Sequence, residues 1–61
     1  MIIIENKIQC RKCKDIIVSK HRHDFVSCVC GTVAVDGGKD YLKRAFIEKT
    51  DYIELSTTKD T

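Results

Sequence analysis

Cys10-Arg11-Lys12-Cys13 and, after fourteen intervening residues, Cys28-Val29-Cys30-Gly31 are the two segments that decide how this chain folds. They hold all of its cysteines. Zinc prefers thiolate and imidazole ligands in tetrahedral geometry, and a structural zinc site is closed by four protein ligands. The spacing therefore predicts one structural Zn²⁺ held by Cys10, Cys13, Cys28 and Cys30, each pair forming a short knuckle. The second pair is Cys-x-Cys where Cys-x-x-Cys is commoner, so one knuckle is strained or one sulfur re-aimed. If Cys28 and Cys30 do not both reach the ion, His21 or His23 is the natural substitute ligand.

Sixty-one residues make one domain, too small for its core alone to offset the entropy of ordering the chain. A staple is required, and four cysteines supply either a metal site or disulfides. Met1-Ile2-Ile3-Ile4 reaches Glu5 after only four apolar residues, far short of a secretory segment or a membrane span. The expected compartment is the cytoplasm, where thiols stay reduced and bind zinc. A redox Cys-x-x-Cys is the weaker reading, because the βαβ pattern that surrounds such motifs is missing.

Outward from the knuckles the pattern is one of short strands. Ile2-Ile3-Ile4 and Lys7-Ile8-Gln9 read as a strand broken near Asn6, and Ile16-Ile17-Val18 as its hairpin partner across the first knuckle. Phe25-Val26-Ser27 and Thr32-Val33-Ala34-Val35 flank the second knuckle in the same way, with Gly31 placed for a positive φ. Asp36-Gly37-Gly38 signals a turn. Tyr41, Leu42, Ala45 and Phe46 fit helical spacing, yet their position after a Gly-Gly turn favours another strand. Asp51 to Leu55 reads as a short strand or helical turn against the sheet. The expected architecture is a small β-rich, zinc-stabilised, zinc-ribbon-like domain over residues 1–55, with two knuckle hairpins, a third strand or short helix after Asp40, and a frayed polar tail over 56–61.

Formal charge is only +2, but it is unevenly placed. Lys7, Arg11, Lys12, Lys14, Lys20 and Arg22 face Asp15 alone in the first part, whereas Glu48, Asp51, Glu54 and Asp60 outnumber Lys49 and Lys59 after Phe46. Four thiolates on Zn²⁺ carry a formal 2− charge, and basic neighbours compensate it. The same cations, with Tyr41 and Phe25 as stacking surfaces, also suit nucleic acid. His21-Arg22-His23-Asp24 is the other polar constellation: a solvated loop with histidines packed on tyrosine, a recognition loop, or an open second metal site with a general base.

Three strings, Cys10-x-x-Cys13, Ser19-Lys20-His21-Arg22-His23-Asp24-Phe25-Val26-Ser27-Cys28-x-Cys30-Gly31 and Val35-Asp36-Gly37-Gly38-x-Asp40-Tyr41-Leu42, carry a resemblance. Together they resemble a family of very small, functionally uncharacterised zinc-ribbon-like proteins of bacteriophages and Gram-positive bacteria, over about Lys7 to Arg44. The resemblance implies zinc binding by the four cysteines and an accessory role in a host-cell cytoplasm. Lys14 departs from the usual knuckle, which places Gly after the second ligand.

The functional expectation is a non-catalytic zinc module, a phage-type accessory protein, binding nucleic acid or a nucleic-acid-processing complex through Arg11, Lys12, His21, Arg22, His23, Asp24, Tyr41, Lys43 and Arg44. Two alternatives stand beside it. One is a protein-binding inhibitor or modulator of a host transcription or defence enzyme; the other, weaker, is a metal-dependent enzyme using His21, His23 and Asp24. A monomer without membrane contact is favoured, with a homodimer through edge pairing of Ile2 to Ile4 as the alternative.

Overall fold

The computed structural model describes residues 2–60. Among them, seven short strands form two antiparallel sheets. β1 (Ile2–Cys10) is the spine of the first; it pairs with β2 (Ile16–Ser19) on one side and with β6 (Tyr52–Glu54) and β7 (Thr57–Lys59) on the other. The second sheet runs β3 (Val26–Ser27), β4 (Val33–Asp36), β5 (Lys43–Phe46). Apart from one 3-10 turn at Lys49–Asp51, the described residues contain no helix. The two knuckle hairpins are β1–β2 and β3–β4, and the segment after Asp40 supplies a third strand, as its position after the Gly-Gly turn predicts.

The spine explains its own irregularity. Asn6, Ile8 and Cys10 are buried at the period of two that a strand imposes, but Ile3 is buried three residues before Asn6. One extra residue has to be absorbed, and the register shifts between Ile3 and Glu5 do so as a bulge. What reads as a break near Asn6 is thus a continuous strand with a bulge just before it.

Ile8, Cys10, Ile17, Cys28, Val33 and Val35 form the buried core between the sheets, with Cys13, Val26 and Tyr52 packed against it. Two of the four clustered cysteines therefore belong to the core. The expected frayed tail is corrected in part: Thr57–Lys59 pairs with Ile2–Glu5 along the bulged end of β1. Its polar residues are exposed and contribute backbone bonds rather than apolar burial, which is why composition does not reveal them.

Candidate metal centre and its surroundings

The first knuckle is closed by backbone bonds: the Cys10 amide donates to the Asp15 carbonyl (2.9 Å), the Lys14 amide to the Cys10 carbonyl (3.0 Å). The Cys13 amide points at the Cys10 sulfur, 3.5 Å away. Lys14 sits at φ 66°, the left-handed region that glycine adopts without cost, so the departure noted in the sequence is a real one. In the second knuckle the Cys28 amide donates to the Val33 carbonyl and the Gly31 amide to the Cys28 carbonyl, each at 3.0 Å, with Gly31 at φ 76°. Asp15 joins the two knuckles, its carboxylate accepting from the Val29 amide (3.1 Å).

The four sulfurs that result lie within 4.8 Å of one another. Cys30 is 3.6 Å from Cys10 and 3.5 Å from Cys28, sulfur to sulfur. A tetrahedral ion bonded to four sulfurs at about 2.3 Å needs sulfur–sulfur edges of about 3.8 Å, so these residues fit a single metal ion. Cys-x-Cys spacing thus suffices, and no histidine is needed to complete the set. Among the described residues His21, His23 and Asp24 do not converge as a ligand group.

The thiols differ in their hold on protons. Cys30, exposed, is pulled down to about 6, first by the Thr32 hydroxyl 3.1 Å from its sulfur and then by the Thr32 backbone. Cys28 is also lowered: burial and the Cys30 thiol oppose ionisation, and hydrogen bonding from the Val33 backbone and the Cys10 and Cys13 thiols outweighs them. At Cys10 the Cys13 amide favours the thiolate, but burial and competition from Cys13 and Cys30 push the thiol up to about 11. A bound cation would draw all four to thiolates.

The predicted binding residues fall into separate groups. Arg11 and Lys12 are exposed on the first knuckle beside Lys14. His21, Arg22 and His23 are exposed on the loop after β2, opposite Asn6 and so about 13 Å along β1 from Cys10. Asp24 folds that loop: its carboxylate accepts from the Lys20 amide (2.9 Å) and its carbonyl from the Ser19 hydroxyl (2.7 Å). Tyr41 meets His23 edge-on, ring centroids 6.5 Å apart, with its hydroxyl 3.4 Å from Nδ1. The plainer reading of the histidines, packing on tyrosine, describes His23. Lys43 is exposed, whereas the Arg44 side chain is only 7% exposed and forks onto the Glu54 carboxylate at 2.9 and 2.6 Å.

Arg44 also donates to Asn6 Oδ1 (2.6 Å) and to the Ser56 hydroxyl (2.7 Å). The residue that sequence reading misses is Asn6, 1% exposed, whose Nδ2 faces the carbonyls of Asp36, Gly38 and Tyr41 at 3.0, 3.0 and 3.2 Å. It clamps the Gly37-Gly38 turn onto β1. The available signal is an asparagine inside an otherwise β-branched strand, a residue strands disfavour and keep for a hydrogen-bonding task.

The family described as Domain of unknown function (DUF7695) matches residues 2–46. This chain belongs to that family. The span of the DUF7695 match contains all four cysteines, the His21 loop and the Asn6 clamp, and ends at Phe46, before the 3-10 turn and the two last strands. No curated protein matches the chain, and no solved structure does.

Proposed function

We infer that this chain is a non-catalytic binding module stapled by one Zn²⁺, and that it holds nucleic acid or a nucleic-acid-processing complex on its first knuckle. Four soft thiolates at tetrahedral spacing suit zinc, and a set closed by four protein ligands leaves no open position for a substrate. The observation that carries the reading is the knuckle itself. Arg11, Lys12 and Lys14 are exposed around a turn fixed by backbone bonds and by the metal ligands between them, and none is in an ion pair among the described residues. The backbone that carries these cations is already ordered by those bonds, so only side-chain freedom is lost when phosphates bind. The resemblance to phage proteins supports an accessory role in a host-cell cytoplasm.

Fluorescence anisotropy with single-stranded RNA and DNA oligonucleotides tests this. Binding should weaken steeply between about 50 and 200 mM salt, and replacing Arg11, Lys12 and Lys14 by Ala should lower the salt slope by about one per lost phosphate contact. Absence of any binding at low salt contradicts direct nucleic-acid binding and leaves the protein complex as the partner.

A further inference from the structure

β1 is longer than its partner on one side. β2 covers Asn6 to Gln9 and stops at Ser19, so along Ile2 to Glu5 the edge of β1 opposite β7 has no strand on it among the described residues. Where β2 ends, a groove of about 340 Å³ opens between Ile4 to Asn6 on β1 and Val18 to Lys20 on β2, with Lys39 at its rim. Its floor is apolar at Ile4, 49% exposed, and at half-buried Val18. Its end is cationic: Lys20 and Lys39 are exposed and in no ion pair among the described residues, while Glu5 is already neutralised by Lys7 at 2.8 Å.

We propose that this edge is a docking strip for an extended acidic peptide segment of a partner protein, added as a further strand in line with β2. Free backbone groups on a strand edge supply ladder hydrogen bonds, and pockets for alternate side chains supply selectivity. Four residues of ladder span about 13 Å. A peptide residue opposite Ile4 covers the apolar floor, and an acidic residue at the end of the segment that abuts β2 lies beside Lys20 and Lys39. A second copy of the chain fits less well. In a two-fold pairing centred on Ile3, Ile2 faces Ile4 of the copy and the copy's Glu5 lands at the end away from these lysines. This strip lies apart from the first knuckle and does not depend on nucleic-acid binding there.

The test is to pan a randomised heptapeptide display library against the metal-loaded protein and titrate the enriched peptides into ¹⁵N-labelled protein. Enrichment of β-branched residues with an acidic residue, and amide shifts confined to Ile2–Glu5 and Ser19–Lys20, are expected. Lys20→Glu with Lys39→Glu should weaken the acidic peptides about tenfold or more while the spectrum stays folded. N-methylation of alternate peptide nitrogens should abolish binding in one phase and spare it in the other, a readout that leaves the protein unaltered. No enrichment, enrichment without acidic preference, shifts elsewhere, or self-association through the same amides overturns the proposal.

Discussion

Lys14 pays for a conformation that glycine adopts freely. At φ 66° its Cβ crowds the backbone, and its amide and carbonyl bonds do not depend on the side chain. Lys14→Gly should therefore stabilise the metal-loaded domain by about 1 kcal/mol, read as a higher denaturation midpoint at fixed free zinc. Asn6→Ala acts oppositely. It removes the donor shared by three carbonyls and leaves the Arg44 guanidinium without one acceptor, so a loss of about 2–3 kcal/mol is expected in the same assay. Glycines separate similarly. A Cβ at Gly38 would meet the His21 backbone at 2.3 Å, whereas at Gly31 it meets open space. Gly38→Ala should prevent ordering of the His21 loop, and Gly31→Ala should cost only about 1 kcal/mol for its positive φ.

At the level of elements, the two sheets are tied by the Arg44–Glu54 pair as well as by the core. Burial works against the Glu54 carboxylate, but Arg44 and Ser56 outweigh it and hold its pKa below the ordinary 4.5. A depressed folded pKa contributes stability in full above the unfolded value, and loses it as pH falls through the folded one. The stability difference between wild type and Glu54→Gln should thus be constant near neutrality and shrink below about pH 4.5. β7 offers a sharper contrast. Removing residues 56–61 deletes the ladder against Ile2–Glu5 and the Ser56 hydroxyl that accepts from the Lys7 amide at 2.9 Å. A measurable drop in denaturation midpoint is expected, whereas a frayed tail would be lost without effect. Knuckle hairpins were legible in the sequence because β-branched runs flank each cysteine pair. β7 was not, since Thr57, Thr58 and Lys59 are held by backbone pairing alone, which leaves no apolar pattern.

Across the whole molecule, the cysteine spacing foretells the candidate site better than the residue types foretell the binding face. Four sulfurs converge as Cys-x-x-Cys and Cys-x-Cys require, but the predicted cations divide: Arg11 and Lys12 at the knuckle, Arg22 and Lys43 elsewhere, Arg44 committed to Glu54. Sequence distance hides this because β1 separates the two ends and Asn6, not charge, sets what the loops touch. Energetically a metal bound by the four cysteines would dominate. Structural zinc supplies apparent binding energy of about 10–16 kcal/mol near neutral pH, against about 5 kcal/mol or less from a core of this size. The central claim, that one Zn²⁺ on four cysteines makes the domain fold, is tested most directly by titrating the reduced, metal-free chain with Zn²⁺ while following circular dichroism. The account predicts a largely unfolded chain at zero metal that becomes cooperatively folded and saturates at one equivalent. A native spectrum that persists in a strong chelator would contradict it.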